Sequence, residues 1–286
     1  MITLDDYQSD DPVAWCPGCG NFSILKALKN ALVELDKKPD EVVIVSGIGQ
    51  ASKAPHYLRC NNFNGLHGRT LPVATGIKLA NHELTVLAEG GDGDGYAEGG
   101  NHFIHGMRRN IDMTYLVHNN QVYGLTKGQT SPTSELGYVS NTTPSGAPNP
   151  PINPLLIAIA LDCGFVARGF AGDPAHLSRL IQEGIRFKGF AFIDILQPCV
   201  SFNHVNTFQW YASRVYKINE EPGYDPENRM MAFKGAQEWG ERIPIGILYQ
   251  SKRSTLDEKQ PAIQGIPLVK QKVGQGSFEK MLELFK

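Results

Sequence analysis

An aspartate set between glycines, Gly91-Asp92-Gly93, is followed further along the chain by a pair of asparagines, Asn119 and Asn120. A carboxylate on a glycine-rich turn is a hard oxygen ligand beside backbone N–H groups that are free to meet phosphate oxygens. An apolar run at 84–88 precedes the turn, and a second run at 113–117 delivers the asparagines. With a crossover helix between them, the two strands lie side by side in a parallel sheet, and their carboxyl ends bring Asp92 and an asparagine to one cation. Magnesium suits such a set, because it takes one or two protein oxygens and completes its octahedron with phosphates and water. An ordinary βα turn is the plain reading of the glycines alone. The asparagine pair at this separation, with an apolar strand before each half, favours metal and diphosphate. A dinucleotide turn fails on spacing, since Gly-x-Gly-x-x-Gly would need glycine where Tyr96 or Glu98 stands.

The cysteines are the second set with chemistry in them. Cys16 and Cys19 form Cys-Pro-Gly-Cys-Gly near the start, with Cys60, Cys163 and Cys199 scattered behind. Two thiolates at this spacing can serve one metal or one cluster, and Pro17 and Gly18 keep the loop tight while leaving N–H groups for the sulfurs. A zinc ribbon would need a second Cys-x-x-Cys pair, which is absent. A redox dithiol would need its motif at a helix start after a strand, and no strand precedes Trp15. An iron–sulfur cluster accepts ligands remote in sequence. Cys199 qualifies because it directly follows an apolar run at 190–196, and Cys60 is the natural fourth from its place in a functional-looking loop. Cys163, between Leu161 and Phe165, reads as a small core residue.

The elements that must carry these residues alternate. The pattern predicts a helix from Asn21 as its cap to about Leu35, a strand at 42–45 and a long loop at 47–68. A helix at 69–81 with Pro72 in its first turn follows, then strand 84–88, helix 97–108 and strand 113–117. Residues 123–151 lack periodicity and read as a long active-site loop. Asn153 caps a helix to about Asp162, a strand spans 165–168, and Asp173-Pro174 opens another helix before strand 190–196. A helix near 226–239 and a strand at 243–249 complete the series. Strand–helix alternation predicts an α/β fold, a doubly wound, mostly parallel sheet, as a single domain over 1–250. Residues 251–286 are polar with isolated apolar clusters, and read as a tail that wraps a partner or stays mobile until it does.

At 286 residues the chain can bury a large core, and its formal net charge of −2 gives no reason to expect nucleic acid or an anionic membrane as partner. No long apolar span or signal core is visible, so the expectation is a cytoplasmic protein. Five cysteines in a chain of this size do not make a disulfide scaffold.

Seven motifs in order carry a resemblance. They are Trp15-Cys16-Pro17-Gly18-Cys19-Gly20, Ser46-Gly47-Ile48-Gly49, Leu66-His67-Gly68-Arg69, Gly91-Asp92-Gly93-Asp94, Arg108-Arg109-Asn110, the run from Asn119-Asn120 through Tyr123-Gly124-Leu125-Thr126-Lys127-Gly128-Gln129, and Gln197-Pro198-Cys199. Together they resemble the thiamine-binding β subunit of 2-oxoacid:ferredoxin oxidoreductases over about residues 14–250. The resemblance implies thiamine diphosphate, magnesium and one [4Fe–4S] cluster. It implies magnesium ligation by Asp92, Asn120 and the backbone carbonyl of Val122. Gly93 and Asp94 would meet the diphosphate through their turn, with Thr126 nearby.

It further implies an α subunit that completes the site and supplies the activating glutamate, coenzyme A as acyl acceptor and ferredoxin as electron acceptor, in an (αβ)2 assembly. A 2-oxoacid would lose carbon dioxide, or the reverse steps would fix it. The cluster ligands would be Cys16, Cys19, Cys199 and a cysteine after Ser-Gly-Ile-Gly, where this chain has Gln50. Glutamine is a poor ligand for iron that prefers thiolate, so Cys60 is expected to replace it by a change of loop path. Lys53 and Lys127 are candidates to hold substrate carboxylates, and His67 and Arg69 to donate to a diphosphate or to coenzyme A. Leu125 and Lys127 resemble the variant associated with larger or dicarboxylic acids, so 2-oxoglutarate is the expected substrate.

Overall fold

The computed structural model describes residues 1–272 and 277–285. In chain order its elements are α1 (Gly20–Glu34), β1 (Val42–Ser46), β2 (Asn61–Asn64), α2 (Thr70–Ala80), β3 (Thr85–Gly91), α3 (Gly100–Arg109), β4 (Met113–Asn119), β5 (Val122–Tyr123) and β6 (Gln129–Thr130). There follow α4 (Pro154–Ala160), β7 (Phe165–Phe170), α5 (Pro174–Arg186), β8 (Phe190–Leu196), α6 (Phe208–Ala212), β9 (Val215–Lys217), α7 (Arg229–Gln237), β10 (Ile243–Gln250) and α8 (Ser277–Glu283).

Eight strands form one sheet in the order β2-β1-β3-β4-β8-β7-β10-β9. From β2 to β7 every pairing is parallel, and β10 then runs antiparallel to β7. The central strands read as unbroken apolar runs because both faces are covered. Alternate residues show it: Ile44, Leu87, Leu116 and Ile193 face one core with Leu28 and Leu32 of α1 and Leu177 and Ile181 of α5. Val45, Val86, Val117 and Phe192 face the other, with Leu71, Phe103, Met107 and Leu155 from α2, α3 and α4. Each such fully buried aliphatic side chain contributes roughly 1.5–3 kcal/mol relative to leaving it in water.

The expected α/β sheet is therefore present, with three local differences. The first helix starts at Gly20 with Cys19 at its cap position, and no side chain caps it. Asn21 is instead buried, its Oδ1 2.8 Å from His118 Nδ1. A buried hydrogen bond to a ring nitrogen outweighs a cap that solvent could replace. The chain also turns helical earlier than expected after β3, as a wide π-type turn over Gly93–Glu98 that leads into α3. Last, two short edge strands were not expected: β2, whose Asn-Asn-Phe-Asn carries little β-propensity, and β9, which is only three residues long.

The start of the tail is fastened to its own chain. Asn110, left-handed at φ 53°, donates to the carbonyls of Arg253 and Ser254 and accepts from Phe190 N–H. Arg253 donates to the Asp162 and Met107 carbonyls, and Thr255 and Ile263 are buried. Residues 273–276 and 286 of the expected tail lie outside the described residues. Among the described residues, no helix is long and apolar enough to cross a membrane.

Candidate functional site

Four neighbouring strands, β1, β3, β4 and β8, end at the same edge of the sheet, and the loops that leave them build two adjoining recesses. This is where open parallel sheets bind ligands. The first recess is lined by Ile48 to Ala51, His67, Gly91 to Asp94, Asn120 and Val122 to Thr126. It gathers Asp92, Gly93, Asp94, Asn120, Val122, Thr126, His67 and Leu125 from the expected set.

Asp92 is buried, and its Oδ2 accepts hydrogen bonds from Ser131 Oγ at 2.5 Å and Thr133 Oγ1 at 2.6 Å. Burial pushes its carboxyl up to about 6, against the pull of those two hydroxyls. A bound cation acts in the opposite sense and favours the carboxylate. The asparagine pair divides its work because successive strand residues face opposite sides. Asn119 turns inward, donating to Asp194 Oδ1 and lying 2.8 Å from Thr133 Oγ1, while Asn120 faces the recess. Asn119 and Thr133 thus hold the carboxylate that Asn120 accompanies.

Asp94 has a different part. Its Oδ1 accepts from Ile48 N–H (2.9 Å) and Gly68 N–H (2.8 Å) and lies 2.9 Å from His67 Nδ1, while Oδ2 accepts from Thr70 Oγ1 (3.1 Å). One carboxylate therefore pins the whole loop between β1 and α2 onto the turn after β3. Gly68, at φ +69°, has no room for a Cβ against the Glu98 backbone, and a Cβ on Gly93 would collide with the Tyr123 ring. The backbone of the turn is thereby exposed to the recess, and the first N–H groups of a helix start have no partner within the helix.

Three expected residues fall outside this recess. Arg69 pairs with His102, its Nη1 2.9 Å from Nε2. Lys53 lines a shallow surface depression with Asp11, Pro12, His56 and Tyr57. Lys127 sits with φ +78° at the tip of the β5–β6 hairpin, whose stem lines the recess but whose tip is exposed to solvent.

The second recess holds the thiols. Cys16, Cys19 and Cys199 line it with Trp15, Asn21, Gln50, Asn120, Gly124, Gln197 and residues 200–202. The N-terminal segment docks on the loop after β8 through Gly20 N–H to Pro198 O, and Gln197 Nε2 lies 3.5 Å from Cys19 Sγ. Burial pushes the Cys19 thiol up to about 11, so it needs a positive partner to ionise. Gln50, Asn120 and Gly124 line both recesses.

Cys60 is not there, which corrects the expectation that it replaces the third cysteine ligand. It immediately precedes β2, and the β1–β2 register puts Asn61 beside Val43 and Asn64 beside Ser46. Cys60 therefore stands at the amino edge of the sheet. Gln50 leaves the carboxyl edge, several residues away at roughly 3.3 Å each. Cys60 packs beside the apolar cluster of Tyr7 and Leu58, and burial pushes its thiol up to about 12. No change of loop path within this sheet brings it round. Cys163 is fully buried, as expected of a core residue.

Among the described residues, no three His, Cys, Asp or Glu side chains are gathered to hold a single metal ion. The implied ligand sets are of other kinds. Magnesium draws most of its shell from phosphate, water, amide and carbonyl oxygens, and a cluster spreads its thiolates around several irons.

Sequence reasoning missed Ser131, Thr133, Asp194 and Arg168. The first two lie in a Ser/Thr-rich stretch that reads as plain loop, although a cluster of hydroxyls after an asparagine pair is a usable signal for a carboxylate shell. Asp194 and Arg168 are buried in β8 and β7, with Arg168 Nε 3.6 Å from Asp194 Oδ2. A charge inside an apolar strand was their only mark.

Comparison with known proteins identifies the family. Residues 43–195 match the family of the thiamine pyrophosphate enzyme C-terminal TPP binding domain, and 199–265 match the family of the C-terminal part of the pyruvate ferredoxin oxidoreductase beta subunit. The fold and site define a thiamine-diphosphate-enzyme domain. Among similar proteins, the 2-oxoacid:ferredoxin oxidoreductase subunit beta of Saccharolobus solfataricus is 47% identical over 87% of this chain and 85% of its own length. The 2-oxoglutarate synthase subunit KorB of Methanocaldococcus jannaschii is 44% identical over 68% of this chain and 73% of its own. A solved 2-oxoglutarate:ferredoxin oxidoreductase from Magnetococcus marinus, with 2-oxoglutarate, coenzyme A and succinyl-CoA bound, superimposes with TM-score 0.91 and 37% identity over 100% of this chain and 96% of that one. The chain belongs to the beta subunits of the 2-oxoacid:ferredoxin oxidoreductases.

Proposed function

We propose that this chain carries the cofactors of an enzyme that converts 2-oxoglutarate, with coenzyme A, to succinyl-CoA and carbon dioxide and passes the electrons to ferredoxin, or runs the reverse carboxylation. The observation that carries this reading is the wall common to both recesses: Gln50, Asn120 and Gly124 separate the diphosphate turn from the thiols. A cofactor site and an electron outlet built back to back suit one-electron transfer better than hydride transfer.

The residues present fit magnesium and thiamine diphosphate. Asp92, Asn120 and the Val122 carbonyl would hold the metal, and the turn at Gly93 and Asp94 would meet the diphosphate with its N–H groups, Thr126 lying at the same recess. Thiamine diphosphate supplies, when bound, the electron sink for loss of carbon dioxide. This chain's part is to fix the metal ligands. Ser131 and Thr133 aim the Asp92 carboxylate, and Asp94 closes the Gly47 to Thr70 loop over the turn. Cys16, Cys19 and Cys199 would hold a [4Fe–4S] cluster at the second recess.

Lys127, on the exposed hairpin tip, would take a substrate carboxylate as a point charge, and Leu125 lines the mouth. Leu125 at the mouth and Leu66 beside the lining residue His67 are 43% and 75% exposed, and an α subunit seated on this mouth would cover them. In this reading the αβ unit is doubled and acts in the cytoplasm with ferredoxin. Rates with both subunits, coenzyme A and ferredoxin on 2-oxoglutarate and on pyruvate test the assignment. A higher kcat/KM on pyruvate overturns the substrate, and turnover indifferent to thiamine diphosphate and magnesium overturns the whole reading.

A further inference from the structure

The thiol recess has three cysteines, and a cluster of four irons has four corners to fill. Gln50 lines the same recess as the three thiols, Cys16, Cys19 and Cys199, and it also lines the diphosphate recess. Its position is fixed from the main chain, since the Trp15 indole N–H donates to the Gln50 carbonyl at 2.8 Å. Trp15 is itself held edge-on between Tyr57 and Phe22, at centroid distances of 4.8 and 5.5 Å. The Gln50 side-chain oxygen, Oε1, is buried without a hydrogen-bond partner. An unpaired buried amide oxygen costs free energy unless a ligand takes it up. Cys60, the other sulfur in this region of sequence, stands at the opposite edge of the sheet.

We propose that Gln50 caps the fourth corner of the cluster site through its amide oxygen, so that one iron, the one facing the diphosphate recess, has no thiolate. This rests on the cluster reading given above and adds to it an iron unlike the other three. Two consequences follow from ligand chemistry. An amide oxygen is neutral and hard, so the cluster with its ligands carries one negative charge fewer than with four thiolates, and its reduction potential lies higher. The weakly held iron is also the first to leave. Ferricyanide removes one electron from the resting [4Fe–4S]2+ core to give [4Fe–4S]3+, which releases one Fe2+ and leaves [3Fe–4S]+.

The experiment uses the αβ enzyme reconstituted anaerobically with iron and sulfide, as wild type, Gln50→Cys, Gln50→Ala and Cys199→Ser. Iron and sulfide are counted, EPR spectra are taken before and after one equivalent of ferricyanide, and midpoint potentials are measured by mediated titration. Wild type is expected to lose one iron in four and show the signal of an oxidised three-iron cluster. Gln50→Cys should keep all four irons under the same oxidation and titrate at a lower potential. Gln50→Ala should lose its iron faster than wild type.

A wild type that keeps four irons after oxidation and matches Gln50→Cys in potential overturns the proposal. So does Gln50→Ala losing iron at the wild-type rate, because water and not the amide would then fill the corner. Iron content untouched by Cys199→Ser, or absent from wild type, overturns the cluster reading itself and the proposal with it. A wild type that binds a stable cluster lost in Cys199→Ser, yet is insensitive to residue 50, overturns the proposal alone.

Discussion

The two recesses at the carboxyl edge of the sheet are built in opposite ways. Around Asp92 the polar atoms are already aimed: Ser131 and Thr133 on the carboxylate, Asn119 on Thr133, Asp194 on Asn119, and Asp94 holding four groups of the covering loop. Around the thiols little is aimed. Cys16 is exposed, Cys19 is half-buried with its thiol pushed up to about 11, and the Gln50 amide oxygen has no partner. A site that takes a mobile cofactor must exist before the cofactor arrives. A site for a covalently held cluster can leave its last ordering to the metal, since binding free energy then serves as folding free energy.

The largest effect that would sharpen the contrast comes from the thiol side. Cys19→Ser or Cys199→Ser should abolish the cluster and its EPR signal while thiamine diphosphate still binds with magnesium. Loss of cofactor binding in either variant would break the separation, because it would make the cluster part of the framework for the diphosphate recess.

Next in size is the outer shell of the carboxylate. Thr133→Val removes a hydroxyl from Asp92 and from Asn119 together. Magnesium affinity should fall about 10–100-fold, the range found when a ligand's hydrogen-bond partner is removed. Titration calorimetry at fixed thiamine diphosphate reads it, and an unchanged affinity would show that the shell is not what aims the ligand.

A pH series gives a smaller and graded effect. With its folded pKa near 6, above the ordinary 3.8, Asp92 takes up a proton on folding between those values. The metal-free protein should therefore lose stability from this group as pH rises from about 4 to about 6. Magnesium competes with that proton, so its affinity should climb about tenfold per pH unit below 6 and level off above. A flat profile would mean that the carboxylate is already ionised without the metal. The smallest expected change is at Lys127: Lys127→Ala should raise KM for 2-oxoglutarate about 10-fold, in keeping with loss of one charged hydrogen bond, and leave cofactor binding alone. Equal KM values would remove Lys127 from the substrate site.

How much of this was readable follows the same division. Asp92 and Asn120 were legible because strand, glycine turn and strand are local patterns whose geometry a parallel sheet dictates, and β4 and β8 fell where their apolar runs put them. The partners of Asp92 were not, since Ser131 and Thr133 reach it from an aperiodic loop, and hydroxyls there look like solvent-facing turn residues. Cys60 was misplaced for a tertiary reason. Its distance along the chain from Gln50 is short, but the short strand β2, with its weak Asn-rich signal, carries the chain along the edge of the sheet and leaves Cys60 at the wrong end. Lys53 was drawn into the site by its loop, yet that loop is bent back over Asp94, and Lys53 faces the surface beside His56.

The measurement closest to the central claim is a calorimetric titration of thiamine diphosphate into the αβ enzyme, with and without magnesium, for wild type, Asp92→Ala and Cys199→Ser. Binding should require magnesium in wild type and in Cys199→Ser, and should weaken in Asp92→Ala by more than the roughly 100-fold that an outer-shell change can cost. Binding that ignores magnesium, or that survives intact in Asp92→Ala, would contradict a diphosphate site built on that carboxylate.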